Sequence, residues 1–308
     1  MKPLSAKTKK ISYLYATLSI TFWGVSFVST KAALTEINLF SLVAIRFAIG
    51  SIFLLFLLLL LREKIAIKIR HLPHFMLLAI IGVCIHQFLQ VAALQTTDAT
   101  TAGWLITFSP VFTAILSIFF LHETITKQKT LGMILAILGV LVLTSKGNFN
   151  TSSFFAAFGN ALMILSTLNW AIYSILLKKL KLPYSSLTIT FYTSILGFFM
   201  ILSPLLQKKA FSELSNISLE VWVHLFFLGI FVSGLGYLFW GKALESLDAT
   251  RVSVFLYLEP LATLIAAVFI LHEAILFSTI LGGIMIILGV IFVNGQLDFF
   301  RRYKMNKE

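Results

Sequence analysis

Few side chains in this sequence could do chemistry, and most of those stand alone in apolar surroundings. Glu259 precedes Pro260 in the run VFLYLEPLATLIAAVFIL. A carboxyl in such a run is expensive to charge, so it would exchange a proton between a dry state and a wet one. The alternative is a protonated acid that bonds a carbonyl freed beside Pro260. Arg46, in LVAIRFAIG, could hold a carboxylate or a phosphate, or could only extend its head toward water. Gly82, His86 and Gln90 recur at every fourth position, which puts an imidazole and an amide on one helix face, with Gln87 and Gln95 nearby. His86 could relay protons near neutral pH or make an interhelical bond.

Aromatic residues accompany these groups. Trp23 with Ser26 and Thr30, Asn169 with Tyr173, and Ser233 with Tyr237 and Trp240 form comparable faces, and Tyr257 adds a further phenol. Rings combined with hydroxyls suit an amphipathic organic molecule better than a bare ion. Such aromatics also commonly serve packing alone. Cys84 is the single cysteine, which leaves no internal disulfide and no thiolate metal cluster. No cofactor and no metal site is expected.

The elements that must position these groups follow from composition. Hydrophobic residues make up 59% of the 308, charged residues 12%, and mean hydropathy is +0.97. A soluble chain of this length needs far more charge to cover its surface. Stretches such as 40–61 and 75–94 approach the roughly 20 residues that cross a bilayer as a helix. They are too long for barrel strands and lack period-2 alternation. The expected fold is an all-α integral membrane protein with spans near 13–34, 39–61, 74–95, 99–121, 130–146, 154–177, 185–206, 220–241, 250–271 and 276–297.

The net charge of +12 does not require a nucleic-acid partner. With the N-terminus placed in the cytoplasm, 19 of the 24 Lys and Arg fall on the cytoplasmic side, three fall outside and two lie within spans. That asymmetry orients a membrane protein with both ends cytoplasmic. The basic N-terminal stretch could also open a signal peptide, but the run from Ile11 to Leu34 is long and carries features repeated later. It is read as a retained first helix.

The chain repeats itself. LHETITKQKTLGMILAILGVLVL begins at Leu121 and LHEAILFSTILGGIMIILGVIFV at Leu271, with 11 of 23 positions identical. ALQTTDAT at 93–100 matches ALESLDAT at 243–250, Pro110 matches Pro260, and Thr113 matches Thr263. Trp23 and Lys31 are eight apart, as are Trp170 and Lys178. Each copy, 1–148 and 149–308, carries five expected spans. Five is odd, so the second copy starts on the opposite side of the membrane. Lys127 and Lys129 of the first copy become Phe277 and Thr279 in the second, where positive charge is disfavoured. Two inverted halves are characteristic of secondary transporters.

The local motifs divide between packing and function. Gly132, Ala136 and Gly139, with Gly282, Ile286 and Gly289, mark faces for close helix packing. Glu123 and Glu273 precede those helices and are expected to cap them, with a gating role as the alternative. Pro110 and Pro260 interrupt their helices and release the carbonyls of Ile106 and Leu256, either as simple kinks or as bends that line a cavity. Lys31 and Lys178 are expected to snorkel. GYLFWGKA at 236–243 imitates a phosphate loop but ends in Ala243 and lies in an apolar run, so no ATPase is read there.

The paired five-span repeats, the Trp-x7-Lys starts, the prolines, the LHE signatures and the Gly-x6-Gly helices together resemble the drug/metabolite transporter superfamily, and within it the ten-helix EamA family. The resemblance covers nearly the whole chain. It implies a small-molecule permease in the cell membrane and not an enzyme, often an exporter of amino acids, metabolites or drugs. Its expected partners are a small-molecule substrate, the lipid bilayer and a coupling ion such as the proton. A lipid or lipid-carrier flippase, with Arg46 holding the phosphate, is the alternative. A membrane-embedded enzyme is a third reading, but His86 and Glu259 alone do not make a catalytic group.

Overall fold

A computed structural model describes residues 6–97, 102–103, 105–144, 158–205, 217–271 and 277–293, and among these every regular element is helical. The rods are α1 (Ala6–Ala33), α2 (Leu39–Leu60), α3 (Ile69–Thr96), α4 (Ile106–Leu121), α5 (Lys127–Thr144), α6 (Phe158–Lys179), α7 (Ser186–Leu205), α8 (Leu219–Ser246), α9 (249–271) and α10 (Phe277–Val293). Within the described residues, α1, α2, α3, α6, α8 and the Ala249–Ala266 part of α9 are long and apolar enough to cross a membrane, and α4, α7 and α10 hold shorter apolar stretches. Side chains such as Ile52, Phe56, Leu59 and Phe119 stay exposed on the outside of the bundle. A surface of this kind needs lipid rather than water around it.

Local chemistry sets where the rods begin and end. Asn38 caps α2 by accepting from the Ser41 N–H at 3.0 Å, and Ser218 caps α8 by accepting from the Val221 N–H at 3.3 Å. Helix α4 stops at His122, whose φ of 54° is left-handed, a conformation that His tolerates better than most residues. The reversal turns Glu123 back toward the bundle.

Four rods are irregular, in two matched pairs. Helices α3 and α8 contain π segments at Ile80–Ile85 and Leu228–Gly236. Helices α4 and α9 contain 3-10 segments at Ile106–Phe108 and Val254–Leu258, just before Pro110 and Pro260. Proline supplies no N–H and clashes with a regular turn behind it, so the chain tightens there. Carbonyls at the first π segment take side-chain donors: Asn169 Nδ2 donates to Ile81 O at 2.7 Å and Tyr237 Oη to Gly82 O at 2.8 Å. Gly82 itself is required, because a Cβ there would lie 2.4 Å from the Tyr173 ring.

Helices α5 and α10 form the most extensive helix pair among the described residues. Their backbones nearly touch, and a Cβ on Gly289 would meet the Gly132 carbonyl at 2.6 Å. The small-residue faces read from the sequence therefore pack against each other. Gly289→Ala is expected to force the pair apart and destabilise the fold by about 1–3 kcal/mol. Thermal unfolding of the detergent-solubilised protein checks this, and an unchanged midpoint would contradict the close crossing.

Two sequence expectations are corrected here. Lys178 does not snorkel; its Nζ donates to the Leu244 carbonyl at 2.8 Å, because α8 ends beside it with unpaired acceptors. Glu123 does cap a helix, but the wrong one for the expectation. It serves α9 rather than the α5 that follows it in sequence, accepting from the Ala249 N–H at 2.6 Å. Glu273 lies outside the described residues.

Candidate functional site

The irregular segments of α4, α8 and α9 and the stretch of α3 just after its own meet, with α1, α2 and α6, around one cavity of about 20 Å³. That is room for about one water molecule. Ile106 and Leu256, the residues four before each proline, both line it. So do Glu259, Arg46, His86, Gln90, Trp23 and Tyr237 of the sequence-read residues. Helices that depart from regular geometry can turn backbone and polar side chains inward without exposing them to lipid.

A buried hydrogen-bond chain forms one wall. Arg46 is 1% exposed; its Nε donates to Ser233 Oγ and its Nη1 to Gln87 Oε1, both at 2.9 Å. Gln87 Nε2 donates in turn to Tyr237 Oη at 2.8 Å. Arg46 therefore faces inward and does not snorkel. Its partners are neutral, and no carboxylate pairs with it among the described residues. A buried guanidinium without a counter-charge is costly to keep.

Glu259 lies in another part of the lining. It is 2% exposed, and its Oε2 has no hydrogen-bond partner. The bond to a proline-freed carbonyl, one of the two sequence readings, is absent from the hydrogen bonds of the described residues. His86 donates from Nδ1 to the Ser166 carbonyl at 3.1 Å, and its ring packs 4.8 Å from that of Trp170. This bond ties α3 to α6, matching the interhelical reading. Trp23 and Trp170 meet edge to face at 4.9 Å. Trp170 Nε1 is buried without a partner, so the cavity offers a vacant donor beside the aromatic rings.

Four sequence-read candidates do not line the cavity. Asn169 is spent on the Ile81 carbonyl. Tyr173 fills the space above Gly82. Trp240 donates to Ser174 Oγ at 3.0 Å while packing behind Trp23. Tyr257 is buried in the 3-10 segment of α9 with an unpaired hydroxyl. Gln87 and Ser26, read only as neighbours of the candidates, line the cavity too, as does Trp170. Gln87 was read beside His86 and Gln90, and all three share the regular helical stretch His86–Thr96 that follows the π segment.

The chain is matched twice by the EamA-like transporter family, over residues 10–145 and 157–295. It belongs to that family. A transporter of Archaeoglobus fulgidus is 33% identical over 282 residues, covering 91% of this chain and 98% of its own. The transporter YyaM of Bacillus subtilis is 29% identical over 224 residues, covering 72% and 73%. A solved crystal structure covers 92% of this chain and 98% of its own with a TM-score of 0.74 at 16% identity, a likeness of fold alone. This EamA protein is thus a multi-pass membrane protein of a family of transporters, not of enzymes. GYLFWGKA lies within α8, where Lys242 Nζ sits over the Tyr15 ring at 5.4 Å. The apparent phosphate loop is a helix.

Proposed function

We propose that this EamA protein is a gradient-driven carrier of small organic molecules, most consistent with an exporter of metabolites, amino acids or drugs from the cell. Ten spans form two inverted five-helix halves, 1–148 and 149–308, with both termini cytoplasmic. The halves rock around the central cavity and expose it to one side at a time. The observation that carries this reading is the pairing of matched helix breaks around a cavity that holds a cation without a counter-charge and an acid oxygen without a donor. Matched breaks supply matched hinges. A cavity of about 20 Å³ holds no metabolite, so the halves must part to admit one.

The lining also speaks to substrate class. Arg46 offers a cation without a carboxylate, Glu259 offers an acid oxygen without a donor, and Trp23, Trp170 and Tyr237 offer ring faces. An amphipathic molecule with an anionic group at one end and an amine at the other would complement all three. Amino acids belong to that class.

The test uses purified protein in proteoliposomes. Candidate zwitterions, first selected by protection against thermal unfolding, should be transported without ATP and should respond to an imposed pH or ion gradient. Strict dependence on ATP hydrolysis by this chain would contradict the proposal.

A further inference from the structure

The turn between α8 and α9 collects charged side chains from three other places in the chain. Lys178, at the end of α6, donates from Nζ to the carbonyls of Leu244 and Leu247 at 2.8 and 2.5 Å. The first is among the last acceptors of α8, and the second lies just past its end. Glu123, after α4, accepts from the N–H groups of Ala249 and Thr250 at 2.6 and 3.1 Å and from Thr250 Oγ1 at 2.8 Å. These are the first donors of α9. Each charge sits at the helix end whose dipole attracts it. Lys129, at the start of α5, lies 3.5 Å from the Asp248 carboxylate with its side chain only 7% exposed. Deeper in the seam, the buried hydroxyls of Ser117 and Thr250 share a bond of 2.9 Å. The LHE loop of one repeat is thereby fixed to the α8–α9 turn of the other. A crevice of about 860 Å³, lined also by Lys9, Lys179 and Lys181, opens beside this junction.

The repeat provides a comparison. Lys31 is the counterpart of Lys178, and the carbonyls matching Leu244 and Leu247 are those of Leu94 and Thr97. Lys31 is half-buried but makes no hydrogen bond or ion pair among the described residues. Thr97 bonds Asn160 through its hydroxyl at 3.0 Å. Among the described residues, Lys178 bonds the helix end beside it and Lys31 does not.

We propose that Glu123, Lys129 and Lys178 form a latch that holds the lysine-rich end of the transporter shut, and that Lys31 takes the Leu94 and Thr97 carbonyls only when that end opens. The proposal rests on the alternating-access reading. Opening the α4–α9 seam breaks the bonds of Glu123 and Lys129 to the α8–α9 turn. The bonds that Lys31 gains at the other end offset part of that loss, which keeps two states close in free energy, as a cycling carrier requires. The two sequence signatures, LHE and Trp-x7-Lys, then serve one device.

The experiment measures access to the cavity from each face. Cys84 is replaced by Ser, Ser26→Cys supplies a reporter in the cavity lining, and sealed vesicles of both orientations meet a membrane-impermeant maleimide. The parent reporter is expected to label mainly from the face opposite the lysine-rich end. Glu123→Ala should raise labelling from the lysine-rich face about tenfold, the scale of losing a helix cap, and lower it from the opposite face. Thr250→Val should act in the same direction, and Lys31→Met in the reverse. A labelling ratio unmoved by Glu123→Ala and Thr250→Val, with both faces reached in the parent, would overturn the latch and leave alternating access standing. Labelling raised equally from both faces would mark a loosened fold and also overturn it. A reporter reached from one face alone in every variant would sink alternating access, and the latch with it.

Discussion

Glu259→Gln folds, binds substrate and loses transport driven by a pH gradient: that is the expected result for the acid in the cavity. Gln reproduces the size and hydrogen-bonding capacity of a protonated Glu but cannot release a proton. Glu259 is 2% exposed and its Oε2 is unpartnered, so burial in the closed cavity disfavours its charged form. When the halves part, water reaches it and the proton can leave, which links proton movement to the side that is open. Uphill uptake in proteoliposomes should fall to the rate seen without a gradient, while exchange of labelled for unlabelled substrate persists. Glu259→Ala should also lose exchange, since it removes the polar group altogether. Gradient-driven transport by Glu259→Gln at the parent rate would make the acid a structural donor only.

The second large effect is expected at Arg46. Its guanidinium is buried with only neutral partners, so replacing it by an apolar side chain removes an uncompensated buried charge, which offsets the loss of its bonds to Ser233 and Gln87. Arg46→Met should therefore unfold near the parent temperature. Its apparent affinity for an anionic or zwitterionic substrate should fall about tenfold to a hundredfold, the scale of a lost hydrogen bond to a charged group. Arg46→Lys should rescue only part of this, because an ammonium cannot reach Ser233, Gln87 and the substrate in one plane. The combination of retained stability and lost affinity is the signature of a binding residue. A fall in stability with affinity intact would assign Arg46 to scaffolding.

The sequence made some of this legible and hid the rest for physical reasons. Rod positions follow from apolar length, so the run read at 39–61 appears as Leu39–Leu60. The α5–α10 crossing follows from glycine spacing, because small residues at helical period have few other uses in an apolar helix. The prolines mark their own breaks. The π segments carry no comparable signature, since any apolar residue can occupy one. Asn169 and Trp240 looked like lining residues because a polar atom on an apolar face must find a partner. Their partners were the Ile81 carbonyl and Ser174, both invisible to a helical wheel. Glu123 shows the same limit: its partner, the start of α9, lies 126 residues away, so local dipole reasoning identified the interaction but not the helix.

The inversion of the two halves is the central claim, and sided labelling of the duplicated LHE signature tests it most directly. With Cys84 replaced by Ser, a single cysteine is placed at His122 in one protein and at His272 in another, the same residue of each copy. Intact and inverted vesicles are treated with an impermeant maleimide. The account predicts that position 122 reacts only from the cytoplasmic face and position 272 only from the opposite face. Reaction of both positions from the same face would contradict it.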